Sequence, residues 1–410
     1  MSEKEIKNQG VSRRGFFRAA GLAGLGGLAG ASLLAPVAPA RAESQAPKEP
    51  LPRRPFGRSG IMVSALSLGG MFDILNNRLM LKMALDWGLN YWDTAEGYGG
   101  SRSEEGIGRW FARNPDTRQE VFLVTKLQIK NQDDPTPRLE ECLQRLHTDY
   151  VDLFFVHGIA SFQEVTPQVQ AWAQAMKKAG KIRLFGFSTH TNMESCLAEA
   201  ATQPWVDGIM FTYNYRLMRQ PAMQAAVEAC HRAGIGLTAM KTMGGGPVKS
   251  DSEAEIKLAG RFMQKGFTDH QAKLMAVWED RRIASICSQM PNLTIMAANA
   301  AAALGQVQLG RAERALLARY AAETQSDYCA GCNEVCSQAL AQALPVSDVM
   351  RCLMYHQAYQ DAGLARETYA ALPAPLRGSL ASADFSAAER ACPRGLPIGR
   401  LMREASVLLA

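Results

Sequence analysis

The 410-residue chain lacks the motifs of several familiar cofactor-binding and nucleic-acid-binding classes. No GxGxxG follows its first strand-like run, and the later MGGGP is a weak signal by itself, so the sequence does not indicate a Rossmann domain. It contains no recognisable flavin motif. Its basic residues form no long run, which excludes the usual electrostatic footprint of a nucleic-acid-binding protein. We therefore expect no nucleic-acid partner.

Most of the net positive charge lies at the amino terminus. Residues 1–42 carry six basic and two acidic residues, and therefore +4 of the formal +6. They contain a twin arginine (Arg13, Arg14), a Gly/Ala-rich apolar stretch and a small-residue end at Ala40-Arg41-Ala42. This pattern predicts a Tat signal peptide that is cut after Ala42, and hence export to the periplasm through the Tat machinery.

A membrane anchor is the alternative for the same segment. Residues 19–38 carry no charge and are nearly long enough to span a bilayer. Their many glycines lower both hydrophobicity and helicity, which favours the leader. Residues 43–56, rich in proline and charge, are predicted to be a linker.

Strand-like apolar runs recur about every thirty residues from position 63 to position 290, with amphipathic stretches such as PRLEECLQRLH between them. A strand–helix unit needs about that spacing, and eight such units suit a barrel of roughly 250 residues. The sequence therefore predicts an α/β fold, a (β/α)8 TIM barrel over residues 57–310.

Four polar residues are found at or just after three of these runs. Asp93 and Tyr98 lie in NYWDTAEGYGG, Lys126 in VFLVTKL and His157 in DYVDLFFVHG. Strand ends that face one mouth of a parallel barrel are where this fold assembles its chemistry. An ammonium beside a tyrosine is expected to lower the phenol pKa, a carboxylate can hold that ammonium, and a neutral histidine can steer a carbonyl oxygen. The alternative is that Lys126 and His157 are ordinary polar residues whose hydrogen bonds are satisfied at strand ends. The occurrence of all four residues in this order argues against it.

The chain from Leu51 to about Leu304 resembles the aldo-keto reductases. The segments that carry the resemblance are GRSGIMVSALSLGGM, GLNYWDTAEGYGGSRSEEGIG, VFLVTKL, RLHTDYVDLFFVHG, KIRLFGFSTH and IMFTYNY. The resemblance implies that Asp93, Tyr98, Lys126 and His157 are the catalytic tetrad. It also implies a nicotinamide dinucleotide, NAD(P)(H), extended over the barrel mouth.

The resemblance also assigns the cofactor-binding positions. Four of them match the family or depart little from it, and three carry an unexpected residue. Gly70 and Met71 match the first loop, Ser188 matches the serine that holds the carboxamide, and Asn299 matches the asparagine beside the adenine. The departures are Thr189 for asparagine, Met210 for glutamine and Met240 for the stacking aromatic. No lysine or arginine occurs between Arg282 and Arg311, so the usual electrostatic basis for NADP is missing.

Residues 311–410 carry a second chemical signal. Cys329, Cys332 and Cys336 form a close triplet, and Cys392 precedes a proline after a helical region. A triplet plus a distant Cys-Pro resembles ferredoxin-type ligation of a [4Fe–4S] cluster, although the spacing between the second and third cysteines is x3 where x2 is usual. Zinc and disulfides are the alternatives. Tat carries folded proteins, which fits a cluster inserted before export better than disulfides.

The remaining cysteines are predicted to be buried structural thiols, and His356 and Tyr359 to be packing or capping residues rather than ligands. The thiols are Cys142, Cys196, Cys230, Cys287 and Cys352. The whole carboxyl-terminal run resembles the tail of a subgroup of aldo-keto reductase-like proteins that carry a Tat leader and a ferredoxin-like end.

Three functions remain open at this point. The first is an exported oxidoreductase that reduces a small aldehyde or ketone, or oxidises an alcohol in reverse, with Tyr98 as general acid. The second is an iron–sulfur electron-transfer protein that serves a redox partner protein and uses its barrel as a scaffold. The third is a barrel that binds a ligand without turnover. A hydride carries two electrons and a cluster passes one at a time, so the electron source is itself a question.

Overall fold

Eight parallel strands close into a barrel in the computed structural model, which describes residues 49–129, 133–249, 253–305 and 308–410. The predicted leader and residues 43–48 of the linker lie outside these ranges. The strands pair in the order β10-β3-β4-β5-β6-β7-β8-β9, as a (β/α)8 barrel requires. They are β3 (Leu66–Gly69), β4 (Tyr91–Asp93), β5 (Phe122–Leu127), β6 (Val151–Ile159), β7 (Ile182–Thr189), β8 (Gly208–Thr212), β9 (Gly236–Met240) and β10 (Ile283–Gln289).

An antiparallel hairpin precedes the barrel and closes its bottom. It consists of β1 (Arg53–Pro55) and β2 (Met62–Ser64). The hairpin uses the last residues of the predicted linker, which is therefore ordered there. The reason is Phe56, which is fully buried against the start of β8 and β9. A Cβ on Gly208 or Gly236 would lie 2.8 or 2.5 Å from the Phe56 ring, so both positions need glycine.

The helices of the barrel lie outside the strands and bury one apolar face each. Helix α3 shows the pattern, because Leu139, Cys142, Leu143 and Leu146 recur at helical spacing and are all buried. Helices up to the end of the barrel are α1 (Leu79–Asp86), α2 (Arg102–Phe111), α3 (Thr136–Leu146), α4 (Pro167–Lys178), α5 (Met193–Ala200), α6 (Pro221–Arg232), α7 (Glu253–Met263), α8 (Asp269–Trp278) and α9 (Leu293–Ala303).

Apolar side chains fill the inside of the barrel. Tyr91, Val124, Leu153, Phe155 and Met210 form its inner cluster and are at most 1% exposed. This packing fills the inside of the barrel below the mouth. The polar side chains of the predicted tetrad lie at or just after the ends of the strands.

Seven helices follow the barrel in the described ranges, and all but the first of them belong to a region with a second apolar core. They are α10 (Arg311–Glu323), α11 (Asn333–Gln338), α12 (Val346–Gln357), α13 (Ala362–Ala370), α14 (Ala374–Ser379), α15 (Ser386–Ala391) and α16 (Ile398–Leu408). Helix α10 belongs to the barrel core through Leu317 and Tyr320, whereas the second core begins at Cys336. The domain boundary at 310 stays a prediction. No helix of the described ranges is both long and apolar enough to cross a membrane.

Candidate active site

The structure brings Asp93, Tyr98, Lys126 and His157 together at the barrel mouth. The Lys126 Nζ lies 2.6 Å from Asp93 Oδ1, and both side chains are about 1% exposed. The same Nζ donates to Tyr98 OH at 3.2 Å and to the carbonyl of Thr94 at 2.8 Å. The rings of Tyr98 and His157 meet edge to face, with centroids 5.7 Å apart. The four side chains therefore form one connected group.

Strand register explains why these residues meet. Asp93 ends β4 and pairs with Val124 two residues before Lys126 on β5, which in turn pairs with Phe155 two residues before His157 on β6. Residues two apart on a strand point to the same face, so three neighbouring strands aim these side chains into the mouth.

Gly70 lies beneath this group in the loop after β3. Its N–H donates to the Asp93 carbonyl at 2.7 Å, and a Cβ at this position would lie 2.5 Å from that oxygen. The Gly70 carbonyl accepts from Ser103 Oγ at 2.8 Å. Met71, the next residue, uses its carbonyl to accept from the Gln289 side chain. The first loop is thereby fixed to the strand end that carries Asp93.

The protonation of the mouth differs in one respect from the sequence prediction. Burial raises the pKa of Tyr98 well above its ordinary value, and the charge of Asp93 raises it further. Burial is the largest cause of this rise, so the lowering expected from Lys126 is not what the structure shows. His157 is half-buried, yet protein surrounds it closely, and burial with the charges of Lys126, Arg351 and Lys241 lowers its pKa to about 3. The imidazole is neutral, as predicted.

Cys287 lies close to Asp93 at the barrel mouth. Its Sγ lies 3.7 Å from Asp93 Oδ2, and burial raises the pKa of the thiol. Sequence reasoning classed it with the structural cysteines because it lies within an apolar strand. Its position near the end of β10, which neighbours β3, was the available signal. The other four of that class, Cys142, Cys196, Cys230 and Cys352, are buried.

The remaining predicted cofactor residues differ in whether their side chains have a polar atom that is not already hydrogen-bonded. Ser188 Oγ accepts from Gly158 N at 3.0 Å and keeps its own proton, and Asn299 Nδ2 donates to Ser288 Oγ at 3.0 Å and keeps its carbonyl oxygen. Each of these two side chains therefore keeps one polar group without a hydrogen-bond partner among the described residues. Thr189 Oγ1 is already bonded to the Ile159 and Thr191 backbone, and Met210 is buried inside the barrel. Met240 packs at the edge of that inner cluster.

The carboxyl-terminal part of the chain lies over the ends of β7, β8 and β9. Lys241 Nζ donates to Tyr355 OH at 3.0 Å, and Asn214 Nδ2 donates to Tyr328 OH at 3.0 Å. The Asn192 N–H donates to the Gly331 carbonyl at 2.8 Å. Sequence reasoning missed this roof, because the partners are 114 or more residues apart and no motif links them. Only the position of Lys241, directly after a strand, signalled a mouth residue.

The four predicted ligand cysteines line one cavity. Cys329, Cys332, Cys336 and Cys392 share it with Arg394 and apolar side chains such as Val346 and Ile398. Burial, together with the neighbouring thiols, raises the pKa of Cys329 and of Cys336 to about 12. All nine cysteines are free thiols in the structure. Within the described ranges, no three His, Cys, Asp or Glu side chains stand close enough together to hold a single metal ion.

Known proteins resemble this chain over the barrel. The model of the aldo/keto reductase family matches residues 73–302. An uncharacterized oxidoreductase of Bacillus subtilis, YrpG, is 29% identical over 218 residues, which are 47% of this chain and 66% of that protein. The Schizosaccharomyces pombe aldo-keto reductase yakc [NADP(+)] is 31% identical over 186 residues, 42% of this chain and 53% of that protein. The chain thus spans between half and two thirds of these two relatives.

A methylglyoxal reductase of Yersinia pestis, DkgA, is 29% identical over 208 residues, 50% of this chain and 72% of that protein. Among solved structures, the aldo-keto reductase AKR11C1 from Bacillus halodurans has a TM-score of 0.54 at 20% identity, over 69% of this chain and 98% of that one. This structural likeness supports the barrel fold. Because the family model matches more than half of the sequence, the chain belongs to the aldo/keto reductase family.

Proposed function

We propose that this protein is an exported oxidoreductase that reduces a small aldehyde or ketone, with Tyr98 as the proton donor. The observation that carries the proposal is the Asp93–Lys126–Tyr98 chain of contacts beside a neutral His157. A similarity to a methylglyoxal reductase supports a small carbonyl substrate. The proposal extends to the reverse oxidation of an alcohol.

The roles of the four side chains follow from their contacts. The neutral His157 donates a hydrogen bond to the carbonyl oxygen and orients it towards Tyr98. The raised pKa keeps Tyr98 protonated until the oxygen gains negative charge, and its proton then passes to that oxygen. Lys126 stabilises the phenolate that remains, and Asp93 holds Lys126 in place.

The hydride is supplied by NAD(P)H when it is bound. Ser188 would hold its carboxamide end and Asn299 its adenine end, since each has an unused polar atom. The sequence offers no basic residue from 283 to 310 for a 2′-phosphate, so the proposal does not depend on NADP.

Replacing Tyr98 tests this function. We expect Tyr98→Phe to lower kcat by about 10²- to 10⁴-fold, the range of a positioned general acid. The measurement is steady-state reduction of methylglyoxal with NADH and with NADPH. Tyr150→Phe is the matched control, because Tyr150 lies at the opposite end of β6, under Arg118 and Arg183. Undiminished reduction by Tyr98→Phe would falsify the acid assignment.

We also propose that Cys329, Cys332, Cys336 and Cys392 bind a [4Fe–4S] cluster. The supporting observation is that all four line one cavity. A four-iron cluster is larger than one ion, so its thiolate ligands stand further apart than those of a single metal, which is compatible with the absence of a single-ion site in the described ranges.

The cluster supports a second candidate function, electron transfer to a redox partner protein. Native mass spectrometry of anaerobically prepared protein would weigh the cluster and any retained dinucleotide together. Cys332→Ala is expected to abolish the brown absorbance, whereas Cys352→Ala, a buried thiol of the same core, should keep it. Bound zinc without colour would contradict the cluster. Electron exchange that survives Tyr98→Phe while carbonyl reduction is lost would support the electron-transfer function.

Export by the Tat machinery is the third part of the proposal and is supported by the twin arginine alone. The segment lies outside the described residues. Arg13→Lys with Arg14→Lys should retain the protein in the cytoplasm, as cell fractionation would show. Unchanged periplasmic recovery would contradict a Tat leader.

A further inference from the structure

A small cavity, which we call the basic pocket, lies between the barrel mouth and the carboxyl-terminal helices. Its barrel side consists of His190, Thr212 and Lys241, at the ends of β7, β8 and β9, and Arg351 and Ser347 of α12 lie opposite. Its volume of about 40 Å³ accommodates roughly three waters or one carboxylate-sized group. None of the residues found to line it is acidic.

Positive charge in the basic pocket has little compensation. Lys241 donates to Tyr355 OH, and no carboxylate of the described residues lies within ion-pair distance of its Nζ. Arg351 pairs with Asp348 through Nη2 at 2.9 Å, but its buried Nε has no partner. A partly buried cation without a counter-ion costs free energy, and its presence indicates a functional role. An anion in the pocket is the simplest compensation.

The pocket also offers the right number of hydrogen-bond donors. Lys241 has two N–H groups left after its bond to Tyr355, and Arg351 has its free Nε–H. His190 Nδ1 contacts Thr212 Oγ1 at 3.3 Å, and its neutral ring donates from Nε2 when Nδ1 accepts from that hydroxyl. A carboxylate has about four acceptor positions, which these donors match.

The backbone of Lys241 is unusual as well. Its φ of +54° lies in the left-handed region, which residues other than glycine, asparagine and aspartate rarely adopt. Such conformations cluster at ligand-binding and catalytic positions. The conformation gives Lys241 a backbone turn directly after β9, with its side chain against Tyr355.

The roof touches the barrel closely at two points beside the pocket. A Cβ on Gly246 would lie 1.8 Å from the Asp327 carbonyl oxygen, and one on Gly331 would lie 2.4 Å from that of His190. The pocket therefore suits the terminal group of a small molecule better than the middle of a dinucleotide.

We infer that the basic pocket binds the carboxylate of the substrate through Lys241 and Arg351, and that the enzyme therefore acts on oxo acids. The inference rests on the proposed carbonyl reduction for the identity of the reacting group. The binding of a small carboxylate does not depend on turnover. The pocket lies beside the proposed catalytic group, because β6, which carries His157, pairs with β7, which ends directly before His190.

Binding is tested first, with the full chain and three probes. The probes are 4-oxobutanoate, its methyl ester and inorganic phosphate, and the measurement is the ligand-dependent rise of Tm. We expect a saturable rise with 4-oxobutanoate and none with the ester. Arg351→Gln and, independently, Lys241→Met should abolish the rise. Arg400→Gln, which breaks an exposed ion pair with Glu404, is the matched control and should keep it. A rise with phosphate alone would mean a phosphate site and overturn the inference.

Turnover is tested next, with 4-oxobutanoate and pyruvate, each compared with its methyl ester. We expect kcat/KM for at least one acid to exceed that of its ester by about tenfold or more, and Arg351→Gln to move this ratio towards one. Equal kcat/KM for acid and ester in the unchanged protein would overturn the basic pocket and leave carbonyl reduction intact. Carboxylate binding that depends on Arg351, without turnover of any of the four compounds, would instead retain the pocket and overturn the reduction.

Discussion

Two tyrosine–lysine pairs lie at the barrel mouth in the described part of the chain, and they differ in their charged neighbours. In the first, Lys126 contacts Tyr98 at 3.2 Å and has Asp93 at 2.6 Å. In the second, Lys241 contacts Tyr355 at 3.0 Å, and no described carboxylate pairs with it. The first pair belongs wholly to the barrel. The second joins the barrel to α12 of the carboxyl-terminal core.

The charged neighbours of the two tyrosines act in opposite directions. The pKa of Tyr98 is raised, because burial and the charge of Asp93 both disfavour its phenolate. Burial also acts on Tyr355, but the charges of Lys241 and Arg351 outweigh it and lower the pKa of that phenol. A carboxylate near the phenol therefore opposes its ionisation, and nearby cations favour it.

The largest expected effect is on stability and separates the two lysines. Lys126→Met leaves Asp93 buried without its partner, which should cost about 3–5 kcal/mol in the free energy of unfolding. Lys241→Met removes an uncompensated cation and orphans no carboxylate, so it should be neutral or stabilising in a buffer without carboxylate or phosphate. Urea denaturation of both variants measures the difference.

The control for Lys126→Met is the double variant with Asp93→Asn. It removes both charges of the pair and should recover part of the lost stability, as a coupled pair requires. Equal losses for Lys126→Met and Lys241→Met would show that the two lysines have equivalent surroundings, contrary to the structure.

The second effect is the pH dependence that comes from His157. The pKa of this histidine is lowered to about 3 in the folded state, against an ordinary value of about 6.5 in the unfolded chain. Its contribution is therefore fully present above pH ~6.5 and is lost as pH falls towards 3. The unfolded state binds up to one more proton in this window, so the free energy of unfolding should fall by up to about 1.4 kcal/mol per pH unit.

His157→Gln should flatten this slope between pH 6.5 and 5, where carboxylates contribute least. His231→Gln, at an exposed position in the last turn of α6, should leave the slope unchanged. The measurement is the urea midpoint at several pH values. An identical slope in the two variants would mean that the pKa of His157 is the same in the folded and unfolded states.

The first pair was accessible from the sequence, and the second was not. Asp93, Lys126 and His157 follow strand-like runs at regular spacing, so the barrel geometry alone predicts their meeting. The structure confirms the barrel that this prediction assumed. Tyr355 lies in a helix whose sequence shows ordinary amphipathic packing, and its contact with Lys241 depends on how one core lies against another. No local pattern encodes such a contact, because its partners are 114 residues apart.

Electrostatics show the same limit within the first pair. The sequence predicted correctly that lysine, tyrosine and carboxylate assemble, but the predicted lowering of the Tyr98 pKa was wrong. The sign depends on burial and on how close the charge of Asp93 lies to the phenol, and neither can be read from residue types. The same limit applies to the predicted linker. Its proline and charged residues gave no indication that the Phe56 ring would pack against Gly208 and Gly236.

The smallest effect concerns one tyrosine among ten and tests the contrast directly. In a pH titration of tyrosinate absorbance, one phenol should ionise below the ordinary pKa of about 10. Tyr355→Phe should remove this early step, and Tyr98→Phe should retain it. Lys241→Met should shift the step to higher pH, because the ammonium that stabilises the phenolate is gone. If Tyr98→Phe removed the early step instead, the barrel pair would be the activated one, contrary to the raised pKa of Tyr98.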